Sequence, residues 1–210
     1  MFCSQAGPSF LFGITAGQLG DPRLAWVLWV VTVFSALSVA WLIPGEPDRP
    51  FEAPEPGSVT LVKSMNIAIR AMSGVCGWVV IFSVLLTYLK TWFLRLFPEE
   101  IQILFCGLLE LTNGCLMLPG VEDLHLRFLL AVVMVNFGGI CVWMQTATVA
   151  EGLRIKRYLY GKLLQTVFAV LYTLILLGNI WPIFPLVMVL TRRKLLKSRK
   201  SSSIPVEFGV

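Results

Sequence analysis

The stretch Phe105–Gly120, FCGLLELTNGCLMLPG, decides how this chain is read. Its apolar run is shorter than the roughly 20 residues that a helix needs to cross ~30 Å of hydrocarbon. Asn113-Gly114 and Pro119-Gly120 interrupt it, the pattern of a broken or re-entrant helix rather than a clean span. Within it sits a carboxylate, Glu110, among leucines. An ionisable side chain near the bilayer centre costs roughly 3 kcal/mol on insertion scales. It persists there by facing a cavity, pairing, or holding its proton. Asn113 follows three residues on, so in a helix it shares a face with Glu110, with Thr112 beside it. An acid and an amide projecting together suit a polar solute, such as a sugar hydroxyl or a base edge, and equally a proton or a sodium ion. The structural alternative is that Glu110 caps a neighbouring broken helix, whose orphan amides and positive end would welcome it, or pairs with an arginine. At this point both readings stand.

The surroundings of that stretch are membrane-like throughout. Of 210 residues, 57% are hydrophobic and 14% charged, with a mean hydropathy of +0.80. A soluble domain carries about 25% charged residues, so most of this surface faces something other than water. The expected fold is all-α, a polytopic transmembrane helical protein with about four spanning helices and two broken or re-entrant segments. The spans are Leu24–Ile43, Ser73–Leu89, Leu126–Ala150 and Leu163–Trp181. Asp21-Pro22 reads as the cap and first-turn proline of the first span. Trp26, Trp29 and Trp41 suit interfacial anchoring. Between the first two spans, Pro44–Ser58 (PGEPDRPFEAPEPGS) is an aqueous linker. After it, Val59–Met72 reads as a separate amphipathic helix on the membrane surface, with Lys63, Asn66 and Arg70 on one face. The opening half-apolar segment is the second broken element, and its polar island Ser4-Gln5-Ala6-Gly7-Pro8-Ser9 either lines a cavity or forms an interfacial loop.

Several polar or small residues lie inside the spans. Asn136 and Gln145 suit hydrogen bonds between helices, Gly138-Gly139 close approach, and Gly13 and Gly17 a helix-packing GxxxG. Arg154, Lys156 and Arg157 lie in a basic loop, EGLRIKRYLYGK, and six of the 17 Lys and Arg residues fall in the terminal TRRKLLKSRK. Next to a membrane segment, that tail calls for anionic lipid rather than nucleic acid, and it marks a cytoplasmic side. Both basic clusters are expected inside, which needs the apolar stub after Pro182 to complete a crossing. The cysteines Cys3, Cys76, Cys106, Cys115 and Cys141 form no CxxC pair and stand as small hydrophobes. With one histidine, His125, no metal constellation forms, and no phosphate loop, GxSxG or acid pair with histidine marks an enzyme. No cofactor is implied.

Four stretches in order, SQAGPSFLFG (Ser4–Gly13), GWVVIFSVL (Gly77–Leu85), GLLELTNG (Gly107–Gly114) and NFGGICVWMQTATVAEG (Asn136–Gly152), resemble the YlbJ-type sporulation integral membrane proteins of the nucleoside-recognition, or gate-domain, family. The resemblance implies a helical membrane protein of spore-forming bacteria, placed in the cell membrane or in the mother-cell or forespore membranes. Glu110 and Asn113 would be its first contacts with a small polar solute. Thr112, Ser4, Gln5, Ser9 and Gln145 would complete the site. Family members are about twice as long, so the chain resembles their C-terminal half. The missing half would come from a separate chain or from a homodimer partner. The implied organisation is a partial gate segment over 1–43, a linker over 44–58, a gate domain over 59–191 and a basic tail over 192–210. The other implied role is a non-transporting scaffold of spore formation.

Overall fold

The structure is a computed structural model that describes residues 5–43, 60–149 and 155–178. These residues are helical, with no strand among them, and include four helices long and apolar enough to cross a membrane. The protein is therefore all-α and of the multi-pass membrane type, and its outward apolar faces are of the kind that lipid covers. The linker over 44–58, the apolar stub and basic tail from 181 onward, and most of the basic loop lie outside the described residues.

Helix α1 covers 8–19 and contains a π-turn at Leu11–Thr15. It ends at Gly20, whose left-handed φ of 80° turns the chain back into α2, Pro22–Leu42. Asp21 caps α2 as the sequence predicts: its carboxylate accepts a hydrogen bond from the Arg23 N–H at 2.8 Å, and Pro22 occupies the first turn. Phe12 of α1 stacks at a tilt on Trp26 of α2, their ring centroids 4.6 Å apart, which closes this hairpin. On α2, Ala25, Leu28, Val31, Thr32, Ser35, Val39 and Leu42 recur at helical spacing on the buried face, while Trp26, Phe34, Leu37 and Trp41 point outward.

Helix α3, Leu61–Trp92, corrects one expectation. The amphipathic segment and the next span are one continuous helix of 32 residues, longer than a bilayer core requires. No proline lies anywhere in Leu61–Trp92, and Gly74 and Gly77 are borne inside the helix. The chain then enters a helical hairpin, α4 (Glu99–Leu109) and α5 (Leu111–Met117), followed by a 3₁₀ turn at Leu118–Gly120. Its two arms run back along each other. A Cβ added at Gly114 would collide with the Gly107 backbone, and one at Gly120 would meet the Glu99 carboxylate. The expectation of a broken or re-entrant segment holds here, but the break falls at Glu110, with Asn113-Gly114 inside α5.

Helix α6, Leu124–Phe137, starts at a second side-chain cap, where Asp123 accepts from the His125 N–H at 3.0 Å. The expected third span is long and apolar enough to cross as Leu124–Thr148, but it is interrupted within. Gly138 and Gly139 both take left-handed φ, 83° and 76°, and split it into α6 and α7, Ile140–Val149. Residues with a Cβ lose about 1–2 kcal/mol each in that conformation, which explains why this break needs glycine twice. Helix α8 is Ile155–Leu177, so the expected fourth span begins earlier than Leu163. The end of the supposed basic loop, through Lys162, is helical and turns inward. Helix α8 packs mainly on α6 and α2, and α7 packs on α3, where the Trp78 indole donates to the Thr148 hydroxyl at 2.8 Å. Among the described residues the GxxxG of α1 packs against nothing: a Cβ at Gly13 or Gly17 would meet open space.

Candidate functional site at the crossing of two broken helices

Glu110 is the joint of the α4–α5 hairpin. Its backbone is extended, φ −140° and ψ 113°, and its side chain is 4% exposed. The carboxylate folds back over the first turn of α5. One oxygen accepts from the Thr112 N–H at 3.0 Å. The other accepts from the Asn113 N–H at 2.7 Å and from Asn113 Nδ2 at 2.8 Å. Those amides are the orphan donors of a helix start, and a negative charge at that end also meets the positive pole of the helix. The expected picture of Glu110 and Asn113 projecting side by side from one helical face is therefore corrected. Asn113 serves Glu110, and both serve the start of α5. Thr112 contributes its backbone N–H.

Small residues let the hairpin close. The glycines Gly107 and Gly114 meet backbone to backbone, and Met134 of α6 lies against both. The second break then abuts the first. A Cβ at Gly139 would stand 3.2 Å from the Leu111 nitrogen, 3.4 Å from the Gly107 carbonyl oxygen and 3.5 Å from that of Leu109.

The C-terminal ends of α4 and α6 both lie at the crossing. Where α4 stops, Glu110 takes the amides of Thr112 and Asn113. Helix α4 ends at Leu109 and α6 at Phe137. The Trp143 indole donates to the Phe137 carbonyl at 3.0 Å. Helix C-termini carry negative partial charge. Together with a carboxylate, they suit a cation or a solute rich in hydroxyl or amino donors.

A second polar region ties α2, α6 and α8 together. Asn136 is fully buried. Its Oδ1 accepts from Ser35 Oγ and Gln165 Nε2, both at 3.1 Å, and its Nδ2 donates to the Val132 carbonyl at 2.8 Å and to Thr32 Oγ1 at 3.4 Å. Gln165 in turn exchanges two hydrogen bonds of 2.9 Å with Gln5. One turn along α2, Ser38 shares a hydrogen bond with the Tyr172 hydroxyl.

The residues predicted from sequence are thus scattered. Gln5 comes inside, which is not where an interfacial loop would put it. Ser9 is exposed and Ser4 lies outside the described residues. Gln145 bonds Cys141 within α7 at 3.2 Å, and reaches no other helix through that bond. Sequence reasoning missed Thr32, Ser35, Ser38, Gln165 and Lys162. A signal existed for three of them: Thr32, Ser35 and Ser38 repeat every third residue through an otherwise apolar span.

Comparison of the chain with protein-family models, with curated proteins and with solved structures finds no match.

Proposed function

We propose that this chain is a non-enzymatic, permease-like protein of the gate-domain type it resembles, binding or moving a small polar solute at the crossing of its two broken helices. The supporting observation is the contact of Gly139 with the backbone of Leu109–Leu111. Discontinuous helices meeting at their breaks expose backbone dipoles at membrane depth, and such backbone is tolerated where it is buried in protein or lines a cavity. The C-terminal ends of α4 and α6, with their negative partial charge, favour a solute with hydroxyl or amino donors, nucleoside-like among them, or a cation. The role of Glu110 in this reading is to hold the hairpin tip in shape and to set its charge. The resemblance suggests the cell membrane or the membranes of a developing spore, and a partner half or a second copy to complete the site.

The test is uptake of labelled nucleosides and other small polar solutes into vesicles carrying the purified protein. Uptake above protein-free vesicles is expected for one of them, with a loss of tenfold or more in Gly139→Ala. That change forces an L residue into left-handed backbone against Leu111. If no solute enters, the non-transporting scaffold is the better reading. One observation already favours that reading: both carboxylate oxygens of Glu110 are engaged in capping. A cysteine at position 110 that reacts with a membrane-impermeant thiol reagent would count against it.

A further inference from the structure

The first two turns of α8 carry a buried phenol and a buried lysine side chain that hydrogen-bond to nothing among the described residues. Lys162 is 2% exposed, and no carboxylate among the described residues reaches it. Tyr158, also 2% exposed, has a fully buried hydroxyl with no hydrogen-bond partner. They stand four residues apart, one above the other on one side of α8. Both facts run against the rule for interiors, where lysine is almost never fully buried unless paired and polar atoms are partnered. The next polar residue on this face, Gln165, receives no hydrogen bond from either. Gln165 already commits its carbonyl oxygen to Gln5, and the Asn136 oxygen is taken by Ser35 and Gln165. The carboxylate of Glu110 is occupied by the start of α5. What is missing is an acceptor, and beside an ammonium it is a negatively charged one.

We infer that Tyr158 and Lys162 form a binding site for a small oxyanion, a phosphate or carboxylate group, supplied either by a free solute or by a lipid headgroup. The ammonium supplies the charge and the phenol a directed O–H donor, so the pair fits a group with oxygens spread over more than one direction. Exposed Lys156 lies one to two turns earlier on the same helix and adds positive charge along the approach. The inference stands whether or not a solute binds at the Glu110 crossing.

Thermal unfolding of the full chain tests it. The protein is held in a neutral detergent with sodium phosphate or, at equal ionic strength, sodium chloride. In parallel it is held in bilayer discs of phosphatidylglycerol or phosphatidylcholine. One of the two anionic conditions is expected to raise the unfolding temperature by about 5 °C at saturation. The rise should vanish in Lys162→Met, persist in Lys162→Arg and shrink in Tyr158→Phe. A rise with phosphate in detergent assigns a free anion, and a rise confined to phosphatidylglycerol assigns a headgroup. Without either anion, Lys162→Met should be no less stable than the parent, because it removes an uncompensated buried charge. The site is overturned if neither anion raises the transition, if the rise is equal in Lys162→Met, or if Lys162→Met is markedly less stable without anion. Should Lys162→Met fail to fold, an undiminished rise in Tyr158→Phe overturns it equally.

Discussion

The hairpin tip at Glu110 and the amide cluster at Asn136 both hold polar groups away from water, and they satisfy them in opposite ways. At the tip the partners are close in sequence: Glu110 answers the N–H groups of Thr112 and Asn113, and glycines remove side chains so that two backbones can touch. In the cluster the partners are distant: Asn136 joins Ser35 and Thr32 of α2 to Gln165 of α8, and Gln165 joins Gln5. The first arrangement forms as the chain turns. The second exists only after helices far apart in sequence have docked. In lipid, helix association draws on close packing and interhelical hydrogen bonds rather than on the hydrophobic effect, and here each contribution dominates a different region.

This contrast makes graded predictions, read as stability of the purified protein in detergent. Gly114→Ala should cost most. The new Cβ has no space against Gly107 and Met134, so the hairpin must open, at about 3 kcal/mol or more, seen as a large fall in unfolding temperature. A tip that absorbs this change without loss would mean the arms are not held together as described. Glu110→Ala should cost about 2 kcal/mol, the upper end for a lost cap, since it strands the Thr112 and Asn113 amides in a buried place. Glu110→Gln keeps one acceptor oxygen and should cost less than Glu110→Ala, about 1 kcal/mol. Asn136→Leu should cost about 1–2 kcal/mol, and a double-mutant cycle with Ser35→Ala should give a coupling of roughly 0.6 kcal/mol, typical of hydrogen bonds between membrane helices. A cycle between Glu110→Gln and Ser35→Ala should give none, because the two regions share no partner. The smallest effect belongs to Gly13→Ala with Gly17→Ala. Their added methyl groups enter open space, and better helix propensity should stabilise by a few tenths of a kcal/mol.

How much of this was legible follows the same division. Four apolar helices, the Asp21-Pro22 start and a re-entrant segment around Glu110 were readable, because hydrophobic length and capping act within a few residues. The exact break was misread. Asn113-Gly114 looks like a turn, yet the glycine serves packing inside α5 while a long acidic side chain makes the joint. Gly138-Gly139 was visible as a close-approach pair, but a double left-handed turn that splits a span has no periodicity signal. The serine and threonine ladder of α2 was passed over because each hydroxyl can satisfy itself on its own helix, as Ser38 also does on the Phe34 carbonyl at 2.7 Å.

Composition alone made this a helical membrane chain. In lipid, every backbone group must be bonded within the protein, and a chain so poor in charge has few other solutions. Local sequence also decided that the region around Glu110 would not be a plain span. Only the tertiary structure decided that the two breaks touch, that Gln5 reaches Gln165, and that Lys162 turns inward from what reads as a basic loop. Each of those depends on which helix faces which. That choice is made by shape and by paired polar groups across long sequence separations, which one-dimensional patterns of hydrophobicity do not encode.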